Sequence, residues 1–210
     1  ATGESNLCLA GGVALNCVAN GKLHRSKTFD KIWIQPGAGD AGSALGAALF
    51  TWHQLLNKER QPNPPTDSQY GSQLGPSFTS GDAEKALRAK GAVIETQEND
   101  TVLFDTISDS LGGGKIVGWF QGRMEFGPRS LGCRSIIGDP RNREMQSKMN
   151  LKIKFRESFR PFAPVVLDEY VQEYFDIDCE SPYMILVAPV RENKRHELSD
   201  DDVAAMNCDK

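Results

Sequence analysis

The sequence predicts a mixed α/β protein in two parts. Within the first 58 residues, two short apolar runs each lead through a glycine-containing turn into a segment with helical character. A proline-rich stretch over 59–80 then interrupts the hydrophobic pattern, and apolar runs alternate with amphipathic segments after it. Such alternation is typical of α/β domains, and the break is typical of a domain boundary. We therefore expect a first domain over 1–58, a linker over 59–80 and a second domain over 81–210.

The first strand–turn–helix unit starts with a short apolar run. Residues 6–10 are predicted to form a buried strand that leads directly into Gly11 and Gly12. Residues 13–20 have helical composition. We expect this helix to end at Gly21, because glycine is common just after the last turn of a helix.

The second unit carries a longer helix. A strand is predicted over 31–35, and the glycine-rich turn over 36–40 opens the helix. Apolar residues recur at three- and four-residue spacing through 41–56, which predicts one strongly apolar face. Gly42 and Gly46 lie one turn apart, where another backbone or a ligand could approach closely. A segment this short cannot bury such a face alone, so we expect it to be the end of a larger domain.

Asp40 opens the second helix and has two interpretations. Aspartate is favoured as a helix N-cap, and its charge suits the positive end of the helix. The turn after a strand is also where open α/β sheets bind ligands, so a metal or ligand role is the other interpretation. The local sequence leaves both open.

After the break, the pattern predicts four helices and five strands. The helices are expected over 82–90, 100–111, 142–150 and 169–175, the first of them capped by Ser80. The strands are expected over 92–95, 115–120, 134–138, 163–167 and 184–190. Their alternation completes the mixed α/β prediction.

The bulk composition excludes several classes of protein. Hydrophobic residues make up 39% of the 210 and charged residues 25%, which is typical of a soluble globular protein. No apolar run approaches the roughly 20 residues that a membrane span needs. The five cysteines are scattered and form no CxxC pair, which favours reduced thiols and a cytoplasmic location. The net charge of −4 disfavours a general nucleic-acid binder.

One stretch of the chain is nevertheless strongly basic. Residues 123–160 hold ten lysines or arginines against four acidic residues. This surplus predicts one site for a multiply anionic ligand. The segment 127–132 offers backbone N–H groups, and Arg129 and Arg134 offer forked donors, an arrangement suited to phosphates. On composition alone, a solvated basic face with ordinary surface ion pairs is the alternative.

The cations near the end of this stretch alternate with apolar residues. Lys152, Lys154 and Arg156 are separated by single apolar residues, and in an extended segment that spacing puts all three charges on one face. Such a set fits a nucleoside triphosphate or an acyl phosphate, whose reaction depends on positioning and charge neutralisation. The three histidines are dispersed and none lies near Ser130 or Ser135 in the sequence, so we expect no serine–histidine–aspartate triad.

Three segments are specific enough to be compared with known families. They read LCLAGGVALN at 7–16, PGAGDAGSALGAAL at 36–49, and GRMEFGPRSLGCRSIIGDPR with KFRESFRPFAPVV within 122–166. These segments resemble the NodU/CmcH family of O-carbamoyltransferases, and the match covers nearly the whole chain in order. The resemblance implies the end of an actin-like ATPase-type domain over 1–58, followed by a YrdC-like domain over 81–210.

The resemblance also implies a two-step reaction. The YrdC-like part is expected to convert carbamoyl phosphate and ATP to carbamoyl-adenylate. The actin-like part, which holds Fe2+ or another divalent metal in the family, is expected to pass the carbamoyl group to a hydroxyl group of a small-molecule acceptor. Neither a membrane nor a nucleic acid is expected as a partner.

The resemblance carries site residues over by position. In the YrdC-like site, the residues it implies to be catalytic are Arg129, Arg134, Lys154 and Arg156. The residues implied to contact ATP or carbamoyl phosphate are Arg123, Arg129, Ser130, Arg134, Ser135, Lys152, Lys154, Arg156 and Arg160. The residues implied to line the adenylate in the actin-like domain are Gly11, Gly12, Asn16 and Gly39. Asp40 is implied to be a metal ligand.

The chain departs from the family pattern at two points. The HxxxH pair of metal-binding histidines lies upstream in the family and is absent from this sequence, as is the C-terminal segment that completes the YrdC-like site. We therefore expect a fragment that is inactive in full transfer by itself and binds metal weakly through Asp40 alone. One alternative is an RNA-binding module without transferase activity, since Phe126, Phe155 and Phe159 interleave with the cations. Another is a basic stripe that only forms interdomain ion pairs.

Overall fold

The computed structural model describes residues 2–62 and 67–200. Pro64 and Pro65 of the predicted linker, Cys208, and the end of the predicted second domain lie outside the described residues. The chain divides into two compact units, each assembled from three segments. Unit 1 comprises residues 1–77, 121–134 and 177–189, and unit 2 comprises 78–120, 135–176 and 190–210. The units therefore do not follow the sequential boundaries expected from the sequence, because part of the basic stretch belongs to unit 1.

Unit 1 is built on a two-stranded parallel sheet. Strand β1 (Asn6–Leu9) pairs with β2 (Lys31–Ile34), with Asn6 opposite Lys31. A 3-10 turn and then α1 (Cys17–Arg25) follow β1, and α2 (Asp40–Phe50) follows β2. The core consists of small and branched apolar residues from these elements, with side chains from the 177–189 segment packed on it: Ala14, Ile34, Ala38, Leu9, Leu15, Ile32, Ile185 and Leu186. The strand–turn–helix order of both predicted units is confirmed, but β1 is not buried as predicted, because its residues alternate between exposed and half-buried.

The helix α1 does not end at Gly21 as the sequence predicts, but continues for four more residues. A Cβ atom placed on Gly21 would lie 2.2 Å from the backbone oxygen of Val187. Glycine is required here because the helix meets another backbone, and not because the helix stops. The helix begins at the N-cap Asn16, whose side chain accepts a hydrogen bond from the backbone N–H of Ala19 at 3.1 Å.

Replacing Gly21 with alanine is expected to destabilise the protein by about 1–3 kcal/mol, because the added methyl group overlaps the Val187 carbonyl. The midpoint of urea unfolding measures this effect. Gly46→Ala is the matched control, since Gly46 also lies within a helix and its Cβ position has no atom within 4 Å in the described structure. That change should stabilise the protein by up to about 1 kcal/mol. Equal shifts in the two variants would contradict the packing role of Gly21.

The helix α2 confirms the expected close approach at Gly42 but not at Gly46, whose Cβ position has no atom of the described residues within 4 Å. A Cβ atom there would lie 2.1 Å from the backbone oxygen of Gly37, so the glycine-rich turn folds directly onto the helix. The helix continues as a π-helical turn over Thr51–Leu55. No α2 residue is buried by the described parts of the chain, and Phe50 and Leu55 are 68% and 71% exposed. The apolar face that the sequence predicts is therefore present and exposed.

Part of the predicted linker is folded into unit 1. Residues Tyr70–Ser72 form a 3-10 turn, and Ser72 is buried. The Ser72 carbonyl accepts the backbone N–H of Phe126 at 2.6 Å, and Gly75 donates its backbone N–H to the Met124 carbonyl at 2.9 Å. From Tyr70 onward, these backbone hydrogen bonds hold the segment against residues 122–134.

Unit 2 contains helices and a small sheet. The helices are α3 (Ser80–Ala89), α4 (Asp100–Gly112), α5 (Met145–Met149) and α6 (Val171–Tyr174). Strand β3 (Val117–Phe120) pairs with β4 (Arg134–Ile137), whose first residue is grouped with unit 1. Thr79, and not Ser80, caps α3, because its side chain forms a capping box with Asp82. The methionines Met145 and Met149 are buried against Gly138.

Three predicted strands of the second part are wrong. Residues 92–95 and 163–167 form no strand, and of 184–190 only Val190 forms an isolated bridge, to Phe175. Their apolar, β-branched composition favours extended backbone, but a strand also needs a neighbour that pairs with its N–H and C=O groups. Val93 and Val165 are 102% and 90% exposed, so the 92–95 and 163–167 runs each leave a β-branched side chain unburied by the described residues. No helix in the described residues has both the length and the apolar character to cross a membrane.

Candidate functional site

Three loops of unit 1 meet at one place. They are the turn after β1 (10–16), the turn after β2 (36–40) and the loop 122–134. A Cβ atom on Gly39 would lie 3.6 Å from the Leu15 side chain, and one on Gly127 would lie 3.5 Å from Gly37 Cα. The fold therefore brings the two glycine-containing turns expected to bind adenylate into the same unit as the first half of the basic stretch.

Glu125 organises the loop 122–134 from its centre. Its side chain is completely buried, and it accepts hydrogen bonds from the backbone N–H of Leu131 at 2.6 Å and of Cys133 at 2.9 Å. The Nε atom of Arg134 donates to its other oxygen at 3.0 Å. Burial by itself raises the pKa of Glu125, but the hydrogen bonds from Leu131, Cys133 and Arg134 outweigh it and hold the pKa below its usual value. The carboxylate is thus a charged internal support of the loop.

Glu125 was not singled out from the sequence. It is the single acidic residue among 123–138, within an otherwise basic segment. A lone carboxylate among cations and glycines is a signal for an internal acceptor, because it pairs with the backbone donors of its own loop.

Arg134 is tied into the same loop. Besides its bond to Glu125, its Nη2 atom donates to the Gly127 carbonyl at 2.6 Å. The hydroxyl of Ser130 donates to the backbone oxygen of Arg134 at 2.7 Å. Two of the predicted anion-binding residues therefore spend part of their hydrogen-bonding capacity in fixing the loop. Their contact with a ligand stays a prediction.

Arg129 links the loop to the turn after β1. Its Nη2 atom donates to the Leu15 carbonyl at 2.9 Å. Its Nε atom is buried and has no hydrogen-bond partner among the described residues. A buried, charged N–H group without a partner is costly, and its presence in a folded protein is explained by strain, a catalytic role, or a bound water, ion or ligand. Arg129 is thus the predicted residue with the clearest unfilled donor.

Arg123 lies at the exposed start of the loop. Its Nε atom donates to the Gly75 carbonyl at 3.0 Å and so fastens the loop to the segment after Tyr70.

Cys133, at the other end of the loop, is buried. Burial raises the pKa of its thiol, and the Glu125 charge raises it further, so the sulfur is protonated at neutral pH and is not an activated nucleophile.

The remaining predicted cations lie in unit 2, around Asn150. Lys152 and Lys154 are exposed on a π-helical turn, Asn150–Lys154, that continues α5. The expected extended segment with all charges on one face is therefore wrong, because residues two apart in a helical backbone point to different sides. Phe155 ends the turn in a left-handed conformation, with φ of 50°.

Asn150 fixes the residues that follow this turn. It is fully buried, its Nδ2 donates to the carbonyls of Ser158 and Arg160 at 2.8 Å each, and its Oδ1 accepts from Arg156 Nε at 2.6 Å. The Arg156 guanidinium also stacks over Phe162 at 4.9 Å. Arg160 forms an exposed ion pair with Glu157 at 2.7 Å. Asn150 therefore sets the course of the chain through two predicted site arginines.

Replacing Asn150 with alanine is expected to destabilise the protein by about 1–3 kcal/mol, because the fully buried amide loses its hydrogen bonds to the Ser158 and Arg160 carbonyls and to Arg156 Nε. Gln146→Ala is the control, since Gln146 donates to Phe159 and Arg160 carbonyls but is exposed. That change should stay within about 0.5 kcal/mol. Denaturant unfolding compares the two. A tolerated Asn150→Ala would remove Asn150 as the organiser of the segment.

The predicted site residues are thus placed in two groups. Unit 1 holds Gly11, Gly12, Asn16, Gly39, Asp40, Arg123, Arg129, Ser130 and Arg134, and unit 2 holds Ser135, Lys152, Lys154, Arg156 and Arg160. Ser135 lies in β4. That these residues serve one anionic ligand stays a prediction.

Asp40 is an exposed first residue of α2, and the N-cap is Gly39. The N-cap interpretation of Asp40 is therefore wrong. Asp40 does not belong to the group of potential metal-binding side chains that converge among the described residues. A single exposed carboxylate does not make an iron site, because iron needs several ligands converging on one point. The residues present do not fit a resident iron ion.

Comparison with known proteins gives the family. A model described as Carbamoyltransferase N-terminus matches residues 1–49, and one described as Carbamoyltransferase C-terminus matches 108–204. An uncharacterized protein of Synechocystis sp. is 57% identical over 99% of this chain and 34% of its own length. Nodulation protein NolO of Bradyrhizobium diazoefficiens is 44% identical over 94% of this chain and 36% of its own.

A relative with a named reaction matches as well. The 3'-hydroxymethylcephem-O-carbamoyltransferase of Amycolatopsis lactamdurans is 33% identical over 90% of this chain and 33% of its own length. The chain spans about a third of the length of these curated relatives. The N-terminal and C-terminal family models match the chain in that order, and the resemblance seen in its motifs is confirmed. The chain belongs to the carbamoyltransferase family.

Proposed function

We propose that this chain is part of an O-carbamoyltransferase that activates a carbamoyl group with ATP and transfers it to a hydroxyl group. The observation that carries the proposal is the position of Arg129. Its guanidinium joins the loop 122–134 to the turn after β1 and keeps one buried N–H without a partner among the described residues. A phosphate oxygen is a strong acceptor for such a group, because the hydrogen bond is charge-assisted.

The residues of unit 1 have separate roles in this proposal. Arg129 binds a phosphate group of ATP, carbamoyl phosphate or the carbamoyl-adenylate. Glu125 and Arg134 hold the loop in the conformation that presents Arg129. Gly11, Gly12 and Gly39 allow close backbone approach to the ligand, since they carry no side chain. Catalysis then consists of positioning and charge neutralisation, and the protonated thiol of Cys133 takes no covalent part.

The cations of unit 2 are proposed to bind phosphate groups as well. Lys152 and Lys154 are exposed to solvent, and Arg156 is held by Asn150. The acceptor is proposed to be a hydroxyl-bearing small molecule, as the name of the Amycolatopsis relative indicates for that protein. The family resemblance implies an iron ion in the transfer step, but no residue of this chain is assigned to that ion.

Pyrophosphate release from ATP tests the proposal, measured with a protein that contains this chain together with the segments of the family pattern that it lacks. The expected result is release that depends on carbamoyl phosphate and is absent when inorganic phosphate replaces it. A panel of hydroxyl-bearing acceptors should then accelerate turnover for one chemical class. Failure of carbamoyl phosphate to stimulate any release from ATP would overturn the proposed activation step.

A further inference from the structure

A second cluster of reactive side chains lies in unit 1 at the C-terminal end of α1. It consists of His24, Asp178 and Cys179, whose ligand atoms all lie within 4.8 Å of one another. His24 Nε2 is 2.6 Å from Asp178 Oδ1, and Lys27 Nζ donates to Asp178 Oδ2 at 2.6 Å. None of these residues belongs to the phosphate-binding set, so the cluster has no role in the proposed transfer.

The backbone around the cluster is fixed from both sides. The Val187 N–H donates to the Cys17 carbonyl at 3.2 Å, and Asn20 Nδ2 donates to the Ile185 carbonyl at 3.0 Å. Arg25 donates to the Val187 carbonyl at 2.8 Å. These bonds hold the whole length of α1 against the segment 177–189. The three side chains therefore face each other without needing a large rearrangement.

The donor atoms fit one class of cation. An imidazole nitrogen, a carboxylate oxygen and a thiolate sulfur together are typical ligands of Zn²⁺, which takes four ligands in a tetrahedron. Bond lengths of that ion put neighbouring ligand atoms roughly 3.3–3.8 Å apart. His24 and Asp178 are closer than this because they bond directly, and they must separate by about 1 Å to admit an ion.

The alternative of a thiol nucleophile is disfavoured by the environment of Cys179. Burial raises the pKa of its thiol, and the Asp178 carboxylate raises it further. A nucleophilic cysteine needs the opposite, a lowered pKa that gives thiolate at neutral pH. A divalent cation supplies the positive charge that displaces the thiol proton.

We propose that His24 Nε2, Asp178 Oδ and Cys179 Sγ bind Zn²⁺ or a cation of the same class, with water in the fourth position. The site joins the end of α1 to the segment 177–189. Binding displaces Lys27 from Asp178 and releases the thiol proton of Cys179. The inference does not rest on the transferase proposal, since it uses none of the same residues.

Cobalt(II) is the probe, because its absorption reports sulfur ligation. The purified protein titrated with Co²⁺ should develop a thiolate-to-metal charge-transfer band that excess Zn²⁺ removes. Cys179→Ala should abolish the band and weaken Zn²⁺ binding by more than the about 10- to 100-fold that loss of an outer-shell partner costs. Cys8→Ala is the matched control, since Cys8 is exposed and lies on β1. A band that survives Cys179→Ala, or no band at all, overturns the site.

Lys27 offers a test that does not remove a ligand. Its ammonium competes with the metal for Asp178, so Lys27→Ala should tighten Zn²⁺ binding roughly two- to fivefold, in line with the strength of an exposed ion pair. His24→Ala should weaken it as Cys179→Ala does. Unchanged affinity in Lys27→Ala would exclude Asp178 as a ligand and overturn the site as drawn.

Discussion

Replacing Arg129 with methionine is expected to lower carbamoyl-phosphate-dependent pyrophosphate release by about 100- to 1,000-fold, the cost of removing one preorganised donor from developing or bound negative charge. Arg129 combines a bond to the Leu15 carbonyl with a buried Nε that has no partner in the described chain. Methionine keeps the apolar stem and removes all five donors. The rate should therefore fall even where the loop stays folded.

Two further variants separate ligand binding from folding. Arg129→Lys keeps the charge but loses the fork, so its activity should lie between those of the wild type and Arg129→Met. Arg88→Met removes an exposed guanidinium from the i,i+4 pair with Glu84 on α3 and should leave the rate unchanged. Circular dichroism and denaturant unfolding report whether Arg129→Met is folded. A folded Arg129→Met with near wild-type rate would exclude Arg129 from the site.

Replacing Glu125 with glutamine is expected to destabilise the protein by about 2–4 kcal/mol, because it removes the charged partner of Arg134 and places an amide NH2 group, a donor, against groups that themselves donate. The amide group offers one acceptor oxygen where the carboxylate offers two, while Leu131, Cys133 and Arg134 all donate into this place. Denaturant unfolding at neutral pH measures the loss. Glu98→Gln, an exposed change outside any helix or strand, should have no comparable effect.

The Glu125 variant should also change the dependence of stability on pH. The hydrogen bonds hold the pKa of Glu125 in the folded protein below the ordinary value of 4.5, so the unfolded chain takes up the proton first. The contribution of Glu125 to stability is therefore complete above pH 4.5 and is lost as the pH falls from there through the folded pKa. Glu125→Gln lacks this contribution, and its stability should fall less steeply below pH 4.5. Parallel acid profiles in the two proteins would contradict a charged, supporting Glu125.

Local sequence predicted well where a single residue or short turn decides the backbone. The turn over 36–40 and the strand before it were predicted correctly because glycines and a proline interrupt an apolar run. The start of α4 follows from Asn99, which accepts the N–H groups of Thr101 and Val102. The apolar face of α2 follows from its periodicity, whether or not another surface covers it.

Prediction of secondary structure failed where groups outside the local pattern decide the backbone conformation. The alternation of Lys152, Lys154 and Arg156 is compatible with a strand. Burial of Met149 and Asn150 at the end of α5, however, keeps the chain helical through Lys154. The run over 163–167 has strand composition and finds no pairing strand among the described residues. Short local patterns do not distinguish these cases, because the choice depends on partners outside the pattern, residues 158–160 for Asn150 and a pairing strand for 163–167.

The sequence by itself determined the family motifs, the glycine-rich turns after the first two strands, and the concentration of cations over 123–160. Tertiary structure alone decided that Gly21 serves a backbone contact with Val187, that Glu125 supports the loop from inside, and that His24 meets Asp178 and Cys179. The physical reason is the range of the interactions involved. Propensity and periodicity act within a few residues, whereas burial, hydrogen-bond satisfaction and ligand convergence depend on groups brought together from distant positions in the chain.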